Sequence, residues 1–398
     1  MQNPPQISQR AKKVQPSLTL AISARAKELK LQGKDICSLS AGEPDFDTPF
    51  FIIEAAKKAL EEGITRYGPA AGDPELREAI AQKLSEINNI PTNPENVLVT
   101  NGGKQAIYNL FQVILDPGDE VLIPSPYWLS YPEIARLAGA KPVIIKTKAE
   151  DNFKVDLEHL EDSINSKTKL IIINSPSNPT GRIIPKEEMQ SIADVIRRHP
   201  QIAVMSDEIY EYLLADGYRH HSFSAIAPDL LHRSFTVNGF AKSWAMTGWR
   251  VGYLAGNSEV IKASIALQSQ STSNVCSFAQ KGALAALKNP NTSVLRMVEK
   301  YNSRRALLAK GLKQIQGMSL SEPNGAFYAF PQLPESSPSS IDFCKLALEN
   351  VGLAMVPGAA FGEDRCIRLS CAVSESTIKD GLSRLSSLFN EKQSFSKL

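Results

Sequence analysis

The stretch Lys169-Leu-Ile-Ile-Ile-Asn-Ser-Pro-Ser-Asn-Pro-Thr-Gly-Arg182 begins as a continuous apolar run and ends in a loop that two prolines and a glycine stiffen. A β-branched run of this length predicts a strand that is buried on both faces. Six other runs share this character, so the predicted strands cover residues 96–100, 120–124, 142–147, 169–174, 202–207, 234–238 and 251–255. Helical spacing separates most of them, which is typical of a doubly wound sheet. We therefore predict an α/β fold: a large domain with a seven-stranded, mainly parallel sheet flanked by helices, plus a smaller α+β domain.

The pattern changes near residue 290. A long helical stretch at 292–314 precedes a Pro- and Ser-rich loop, a strand at 366–370 and a last amphipathic helix. This order predicts a large domain over residues 45–290 and a small C-terminal domain over residues 291–398. The first 44 residues are too few to form a core of their own, so we expect residues 1–44 to pack on the small domain as an N-terminal arm.

The composition disfavours several classes of protein. The 398 residues are 42% hydrophobic and 22% charged, with a formal net charge of +2, which is typical of a globular protein and favours neither nucleic acid nor a membrane as partner. The five cysteines and five histidines show no metal-ligand spacing, so we predict no metal and reduced thiols. Without a secretory signal or a spanning apolar run, we expect a soluble, cytoplasmic protein, with a basic transit peptide as the alternative for the first residues.

Glycines and a lysine follow the first predicted strand. In an open parallel sheet, ligands bind beyond the carboxyl ends of the strands. The segment Asn101-Gly-Gly-Lys-Gln105 opens a helix there, where glycines and free N–H groups suit a phosphate. A purely steric need for the glycines is the alternative. No Walker pattern and no GxGxxG follow this strand, which disfavours a nucleotide.

Side chains after other strands are candidates for contacts with a bound ring. Asn178 lies in the proline-rich loop after the strand at 169–174, and Asp207 and Tyr210 come at the end of the next strand. Trp128, on a proline-stiffened turn, is suited to lie on a heteroaromatic ring. The respective structural alternatives are an Asx turn, a helix cap and a core aromatic.

Lys242 precedes Arg250 by eight residues in a loop of small residues between the last two predicted strands. A partly desolvated amine condenses with an aldehyde, and an arginine fork binds phosphate, so the pair suggests a phosphorylated aldehyde as cofactor. Taken alone, the pair also fits a solvated lysine beside an unrelated arginine.

In their order along the chain, these segments resemble one protein family. The matching pieces are Ser40-Ala-Gly-Glu-Pro-Asp-Phe46, Arg66-Tyr-Gly68, Gly102-Gly-Lys104, Pro126-Tyr-Trp128, Asn174-Ser-Pro-Ser-Asn-Pro-Thr-Gly181, Ser206-Asp-Glu-Ile-Tyr210, Lys242 with Arg250, and Ile367-Arg-Leu-Ser370. They resemble the class I aminotransferases of pyridoxal-phosphate fold type I, especially the bacterial-type aspartate aminotransferase branch. The resemblance runs from about residue 14 to residue 390.

The resemblance implies a cofactor and its ligands. The cofactor is pyridoxal 5'-phosphate, and Lys242 is the lysine that forms a Schiff base with it and later acts as the general base. Asp207 is expected to pair with the protonated pyridine nitrogen and keep the ring cationic. The other expected cofactor contacts are Gly103, Lys104, Gln105 and Arg250 at the phosphate, Asn178 and Tyr210 at the ring hydroxyl, Trp128 on the ring face, and Tyr67 from a second subunit.

The resemblance also implies a reaction. Arg368 is expected to grip the substrate α-carboxylate, with Gly42 and Asn178 assisting and Trp128 lining the site, while Lys104 binds the distal carboxylate. The implied enzyme is a homodimer with shared active sites. It moves the amino group between L-aspartate or glutamate and a 2-oxo acid such as 2-oxoglutarate, in a ping-pong reaction.

Other activities within and beyond the family remain alternatives. A prephenate or aromatic aminotransferase is the nearest one, and a pyridoxal-phosphate-dependent lyase or synthase is more remote. A transcription regulator with this fold would need an N-terminal DNA-binding domain, but only about forty residues precede the large domain and they contain no basic recognition helix.

Overall fold

The computed structural model describes residues 5–12, 14, 18–289 and 292–390. The predicted domain boundary at residues 290–291 and the start of the predicted arm lie outside the described residues. The strands, in chain order, are β1 (Cys37–Ser38), β2 (Val97–Thr100), β3 (Glu120–Pro124), β4 (Lys141–Ile145), β5 (Thr168–Asn174), β6 (Ala203–Asp207), β7 (Ser234–Gly239), β8 (Gly252–Ala255), β9 (Tyr328–Ala329), β10 (Leu353–Ala354), β11 (Val356–Pro357) and β12 (Ile367–Ser370).

Helices connect these strands. They are α1 (Gln9–Lys12), α2 (Leu18–Leu31), α3 (Phe50–Glu61), α4 (Pro74–Glu86), α5 (Gly103–Ile114), α6 (Ser130–Leu137), α7 (Leu157–Asp162), α8 (Lys186–Arg197), α9 (Phe223–Ile226), α10 (Ser258–Ser271), α11 (Ser277–Lys288), α12 (Thr292–Lys313), α13 (Ser340–Val351) and α14 (Glu375–Asn390). Among them, α4, α7, α10 and α13 begin at side-chain caps. In α4, for example, the Asp73 side chain accepts from the amides of Glu75 and Leu76, which satisfies donors that have no intrahelical partner. Among the described helices, none is both long and apolar enough to cross a membrane.

A seven-stranded sheet forms the centre of the molecule, in the order β2-β8-β7-β6-β5-β3-β4. Its strands overlap all seven predicted ones, so the predicted mainly parallel α/β fold is confirmed. Only β8 runs against its neighbours β2 and β7. A parallel neighbour needs a long crossover, whereas only residues 240–251 lie between β7 and β8. This short connection is the segment that contains Lys242 and Arg250.

One predicted strand ends earlier than expected. The prediction placed it at residues 142–147, but β4 pairs with β3 only as far as Ile145, opposite Pro124. The paired strand β3 ends at Pro124, and the chain continues as Ser125-Pro126, in which Pro126 has no N–H to donate to a ladder.

The central strands are buried on both faces. Ile123 and Leu170 belong to an apolar cluster with α5 and α6 on one face, while Leu122, Ile171 and Ile173 belong to a cluster with α8 on the other. Successive side chains along a strand point to opposite faces. This alternation explains why the strand sequences are continuous apolar runs rather than alternating ones.

The chain after α11 builds a second, smaller apolar core. The antiparallel sheet β11-β12-β9 packs with residues of α12, α13 and α14 in one cluster that includes Phe327, Phe343 and Leu385. The early strand β1 also joins this part of the molecule, because Cys37 pairs in parallel with Leu353 of β10. The carboxyl ends of β5 and β6 face this smaller core, since Tyr210 is a member of the same cluster.

Candidate active site

Lys242 lies in the turn between β7 and β8, half-buried against the smaller core. Its Nζ donates a hydrogen bond to the carbonyl oxygen of Gly42 and lies 5.8 Å from the ring centroids of both Tyr210 and Phe327. Burial, followed by the positive charge of Arg368, lowers the pKa of Lys242 to about 8. An amine with a lowered pKa is more often neutral near pH 7, and only the neutral form is a nucleophile or a base.

Arg250 and the start of α5 form a candidate anion site. Arg250 has a left-handed backbone, and its guanidinium donates to the carbonyl oxygens of Thr247 and Asn101, at 3.0 and 3.1 Å. Gly102 has a φ of 81°, and a Cβ there would collide with this guanidinium. The glycine therefore leaves the space that Arg250 fills at the N-terminus of α5.

The amides at this helix start are not equivalent. Among the described residues, those of Gly103 and Lys104 have no hydrogen-bond acceptor, whereas the amide of Gln105 donates to the Gly102 carbonyl oxygen at 3.1 Å. Free N–H groups at a helix N-terminus attract anions. The structure thus supplies two of the three amides expected from the resemblance, with Arg250 beside them.

Asp207 ends β6 and is 5% exposed. Its Oδ2 accepts from the Tyr131 hydroxyl at 2.7 Å, and its Oδ1 accepts from the Ile209 amide at 3.2 Å. Burial raises the pKa of Asp207 to about 6, and the Tyr131 hydrogen bond acts in the opposite direction. A buried carboxylate of this kind is well suited to pair with a cationic ring nitrogen.

Arg368 is a buried cation on β12. Its Nη1 donates to Asn178 Oδ1 and its Nη2 to the Ser40 carbonyl oxygen, both at 3.0 Å, whereas its Nε has no acceptor. Among the described residues no carboxylate pairs with this guanidinium. Because a buried cation without a counter-charge is costly, the arrangement fits an anionic ligand.

Lys104, Trp128 and Tyr67 lie toward the exposed side of the site. Lys104 Nζ stands 4.9 Å from the Trp128 ring centroid, and partial burial, followed by the Arg250 cation, lowers the pKa of Lys104. The Tyr67 side chain is 93% exposed, and among the described residues no hydrogen bond or ring contact joins it to the other candidates. The structure therefore brings the predicted residues of one chain together, with Tyr67 apart from them.

Sequence reasoning missed two tyrosines. Tyr131 is the last residue of the aromatic turn that contains Trp128, and Tyr328 lies in the run Gly325-Ala-Phe-Tyr-Ala-Phe330. Tyr131 binds Asp207, and the Tyr328 hydroxyl is 2.9 Å from that of Tyr210. Both stood in segments that the sequence marked, but an aromatic in a strand or turn is usually a core residue.

Two carboxylates and a histidine, side chains of the kind that bind metal ions, also lie close together near the site. The carboxylates of Glu208 and Glu211 and the His220 ring present atoms within 4.8 Å of one another. Protein groups already contact all four carboxylate oxygens: Lys83, Asn88, Ser206, His220 and Ser222. The two carboxylates are thus satisfied by protein donors, although Asn88 Oδ1 and His220 Nδ1 of the same buried network have no partner among the described residues.

The family follows from a direct comparison. A family model for aminotransferase class I and II matches residues 34–385. The chain belongs to the class I and II aminotransferases. Members of this family depend on pyridoxal phosphate, which accounts for a lysine, a buried carboxylate and an anion site in one place.

Relatives of this aminotransferase are similar over almost the whole chain. It is 44% identical to the aspartate aminotransferase of Bacillus subtilis, covering 98% of this chain and 100% of that protein. It is 45% identical to the bifunctional aspartate aminotransferase and glutamate/aspartate-prephenate aminotransferase of Petunia hybrida, covering 95% of this chain and 82% of that one. The solved aspartate aminotransferase from Thermus thermophilus with maleate matches with a TM-score of 0.93 and 44% identity, over 96% and 100% of the two chains. The predicted family and branch are confirmed.

Proposed function

We propose that this aminotransferase transfers the amino group between L-aspartate or glutamate and a 2-oxo acid such as 2-oxoglutarate. The observation that carries the proposal is the half-buried amine of Lys242 near a buried carboxylate, Asp207, and a buried guanidinium, Arg368, that pairs with no carboxylate in the part of the chain that the structure describes. The relatives with names that specify aspartate support the same substrate.

Pyridoxal phosphate fits the residues present. Arg250 and the free amides of Gly103 and Lys104 would hold its phosphate, where the missing Cβ of Gly102 leaves room. Asp207 would hold its ring nitrogen, and Lys242 would join its aldehyde carbon. When bound, the cofactor supplies an electron sink that makes the α-proton of an amino acid acidic.

The chain's own residues provide binding, orientation and proton transfer. Arg368 would bind the substrate α-carboxylate through a fork that Asn178 and Ser40 already orient. Lys242, with a pKa of about 8, would take the α-proton as a neutral base and deliver it as the ammonium form. Asp207, in its ionised form, would hold the proton on the ring nitrogen.

Specificity for acidic substrates would come from Lys104. Its ammonium stands on the same side of the site as the Trp128 ring and would attract a distal carboxylate as a point charge. A second candidate function is a prephenate aminotransferase, because the relatives from Petunia hybrida and Thermus thermophilus carry that activity in their names. Both substrates present a second carboxylate, so the geometry of Lys104 serves either.

We further propose a cytoplasmic homodimer in which each chain completes the other's site. Tyr67, 93% exposed in the single chain, would reach the partner's phosphate site. Light scattering would give the mass in solution, and Tyr67→Phe would weaken pyridoxal-phosphate binding in the dimer. The domain limits at residues 1–44, 45–290 and 291–398 remain our proposal, which limited proteolysis would test.

A donor and acceptor panel on the purified holoenzyme tests the activity. Aspartate and glutamate with 2-oxoglutarate or oxaloacetate should give the highest kcat/KM, and prephenate with either donor tests the second candidate. Initial-rate lines for donor and acceptor should be parallel, as in ping-pong kinetics. Intersecting lines, or release of ammonia in place of a 2-oxo acid and a new amino acid, would refute the proposal and favour a lyase.

A further inference from the structure

We propose that Tyr328 is a positioning residue that links Tyr210, on the cofactor side, to Arg368, on the substrate side. Its hydroxyl would set the hydrogen-bond donor strength of Tyr210, and its ring would hold the Arg368 guanidinium. The inference rests on the proposed function, because it concerns how the site handles bound pyridoxal phosphate and a carboxylate.

Tyr328 has two contacts of different kinds. It lies on β9, next to β12, and is 1% exposed. Its hydroxyl is 2.9 Å from the Tyr210 hydroxyl, and its ring centroid is 4.4 Å from the Arg368 Cζ. A cation over an aromatic face is attracted by the ring's electron density. The single side chain therefore touches both functional groups.

The backbone of Gly42 borders the same pair. A Cβ built on Gly42 would lie 3.8 Å from the Tyr328 hydroxyl oxygen and 4.0 Å from Arg368 Nη2. The Gly42 carbonyl oxygen accepts from Lys242. Gly42 thus lies between Tyr328 and Lys242, the amine that we propose as the base.

Counting protons fixes the direction of the hydrogen bond. Each phenol has one O–H to donate, and among the described residues neither hydroxyl has another partner. If Tyr210 donates its proton to the ring oxygen of the cofactor, Tyr328 must donate to Tyr210. A phenol that accepts one hydrogen bond donates a stronger one, because such chains polarise each other.

The Arg368 cation favours this direction. Burial raises the pKa of both phenols and the cation acts to lower both, but Tyr328 is the one whose ring packs against it, with its centroid 4.4 Å from the Arg368 Cζ. A phenol beside a cation is the better donor of two otherwise similar phenols. Tyr210, farther along the chain of hydroxyls, is therefore the acceptor, and its own proton is left for the ligand.

Two substitutions at Tyr328 test the role of its hydroxyl separately from the role of its ring. Tyr328→Phe removes the hydrogen bond to Tyr210 and keeps the aromatic face beneath Arg368. Tyr328→Leu removes both. Tyr301→Phe is the matched control, since Tyr301 is a buried phenol in the same apolar cluster and its hydroxyl donates to Asp45 Oδ1 at 3.5 Å instead of bonding Tyr210.

The first readout is the absorbance of the holoenzyme as a function of pH. A weaker donor at the ring oxygen makes the proton shared by that oxygen and the Lys242 nitrogen harder to lose. Tyr328→Phe should therefore raise the midpoint of this transition by about 0.3 to 1 pH unit. Tyr301→Phe should leave the midpoint unchanged.

The second readout is maleate binding to the holoenzyme. Tyr328→Phe should change the dissociation constant less than about twofold, whereas Tyr328→Leu should raise it about fivefold or more, because the cation loses the aromatic face. A third variant, Tyr210→Phe, completes a double-mutant cycle that measures the coupling between the two hydroxyls. In the Tyr210→Phe background, Tyr328→Phe should no longer move the absorbance midpoint.

The results discriminate the claims. An unmoved midpoint in Tyr328→Phe, an equal shift in Tyr301→Phe, or full additivity with Tyr210→Phe would overturn the inference. These results would leave the proposed function intact as long as the wild-type protein binds pyridoxal phosphate and transaminates. A wild-type protein that binds no pyridoxal phosphate would overturn both.

Discussion

The two ends of the candidate site are built differently. At the buried end, Arg368 is 3% exposed, its donors are held by Asn178 and the Ser40 backbone, and Tyr328 lies under it. At the exposed end, Lys104 and Arg250 are exposed in the single chain. A buried fork fixes geometry and costs little reorganisation on binding, whereas an exposed ammonium attracts varied anions without fixing them.

We infer that the buried end binds the group that all substrates share, and that the exposed end binds the group in which substrates differ. All amino acids present an α-carboxylate, and the buried end is shaped for one. Only acidic substrates present a second carboxylate, and the exposed end offers it the point charge of the Lys104 ammonium. We therefore expect substitutions at the buried end to affect all substrates, and those at the exposed end to affect only some.

Lys242 stands between the two ends, and its loss should have the largest effect. Lys242→Ala should lower kcat about 10⁴-fold for every substrate, because the base for proton transfer is gone. Pre-steady-state kinetics with aspartate would measure the loss, and pyridoxal phosphate should still bind. Lys262→Ala, on the exposed side of α10, is the control and should keep wild-type activity. Near-normal turnover in Lys242→Ala would refute the assignment.

The buried end should show the next largest effect. Arg368→Lys keeps the charge but loses the fork, and should lower kcat/KM about 100-fold for aspartate and for alanine alike, since charged hydrogen bonds contribute about 1.5–3 kcal/mol each. Steady-state kinetics with both donors measures this. A loss confined to aspartate would contradict the division between the two ends.

The exposed end should show a selective effect. Lys104→Ala should lower kcat/KM for aspartate about 10- to 100-fold and leave that for alanine within about twofold, because only aspartate loses a charge partner. The same two-donor assay serves here. Equal losses for the two donors would refute the role of the Lys104 ammonium in binding the distal carboxylate, because the variant keeps the backbone amide and removes only the side chain.

The smallest expected effect is a change in pH dependence. Burial raises the pKa of Asp207 to about 6, so the carboxylate is ionised above that pH and pyridoxal-phosphate affinity should fall as the pH drops through about 6. Tyr131→Phe removes a donor that favours the ionised form, so the fall should begin about 0.5 to 1 pH unit higher. Fluorescence titration of the apoenzyme measures the affinity.

Tyr218→Phe is the matched control for this experiment, since its ring is 49% exposed and has no contact with Asp207. Its pH dependence should equal that of the wild type. The opposite direction of change in Tyr131→Phe, with affinity kept to lower pH, would mean that Tyr131 is not the donor to Asp207.

Much of the fold was predictable because its signals are local. Runs such as Leu170 to Ile173 are apolar without interruption, and that pattern distinguishes strands buried on both faces from half-exposed ones. The strand ends were less predictable: β4 stops at Ile145 because its neighbour β3 ends at Pro124, a fact about another part of the chain.

The candidate site was predictable only in part. Lys242, Asp207 and Arg368 stood in segments with a specific pattern, whereas Tyr131 and Tyr328 looked like ordinary core aromatics. Their hydroxyl partners are 76 and 118 residues away in sequence. No local pattern encodes contacts of that separation.

The sequence by itself determined the seven central strands, the family and the residue types at the ends of the strands, because apolar runs and turn residues act over a few neighbours. The tertiary structure alone decided that β8 runs antiparallel, that no carboxylate of the described residues pairs with the Arg368 guanidinium, and that two buried phenols support Asp207 and Tyr210. Packing brings distant segments together, and only then does burial set which polar groups have partners and how their pKa values shift.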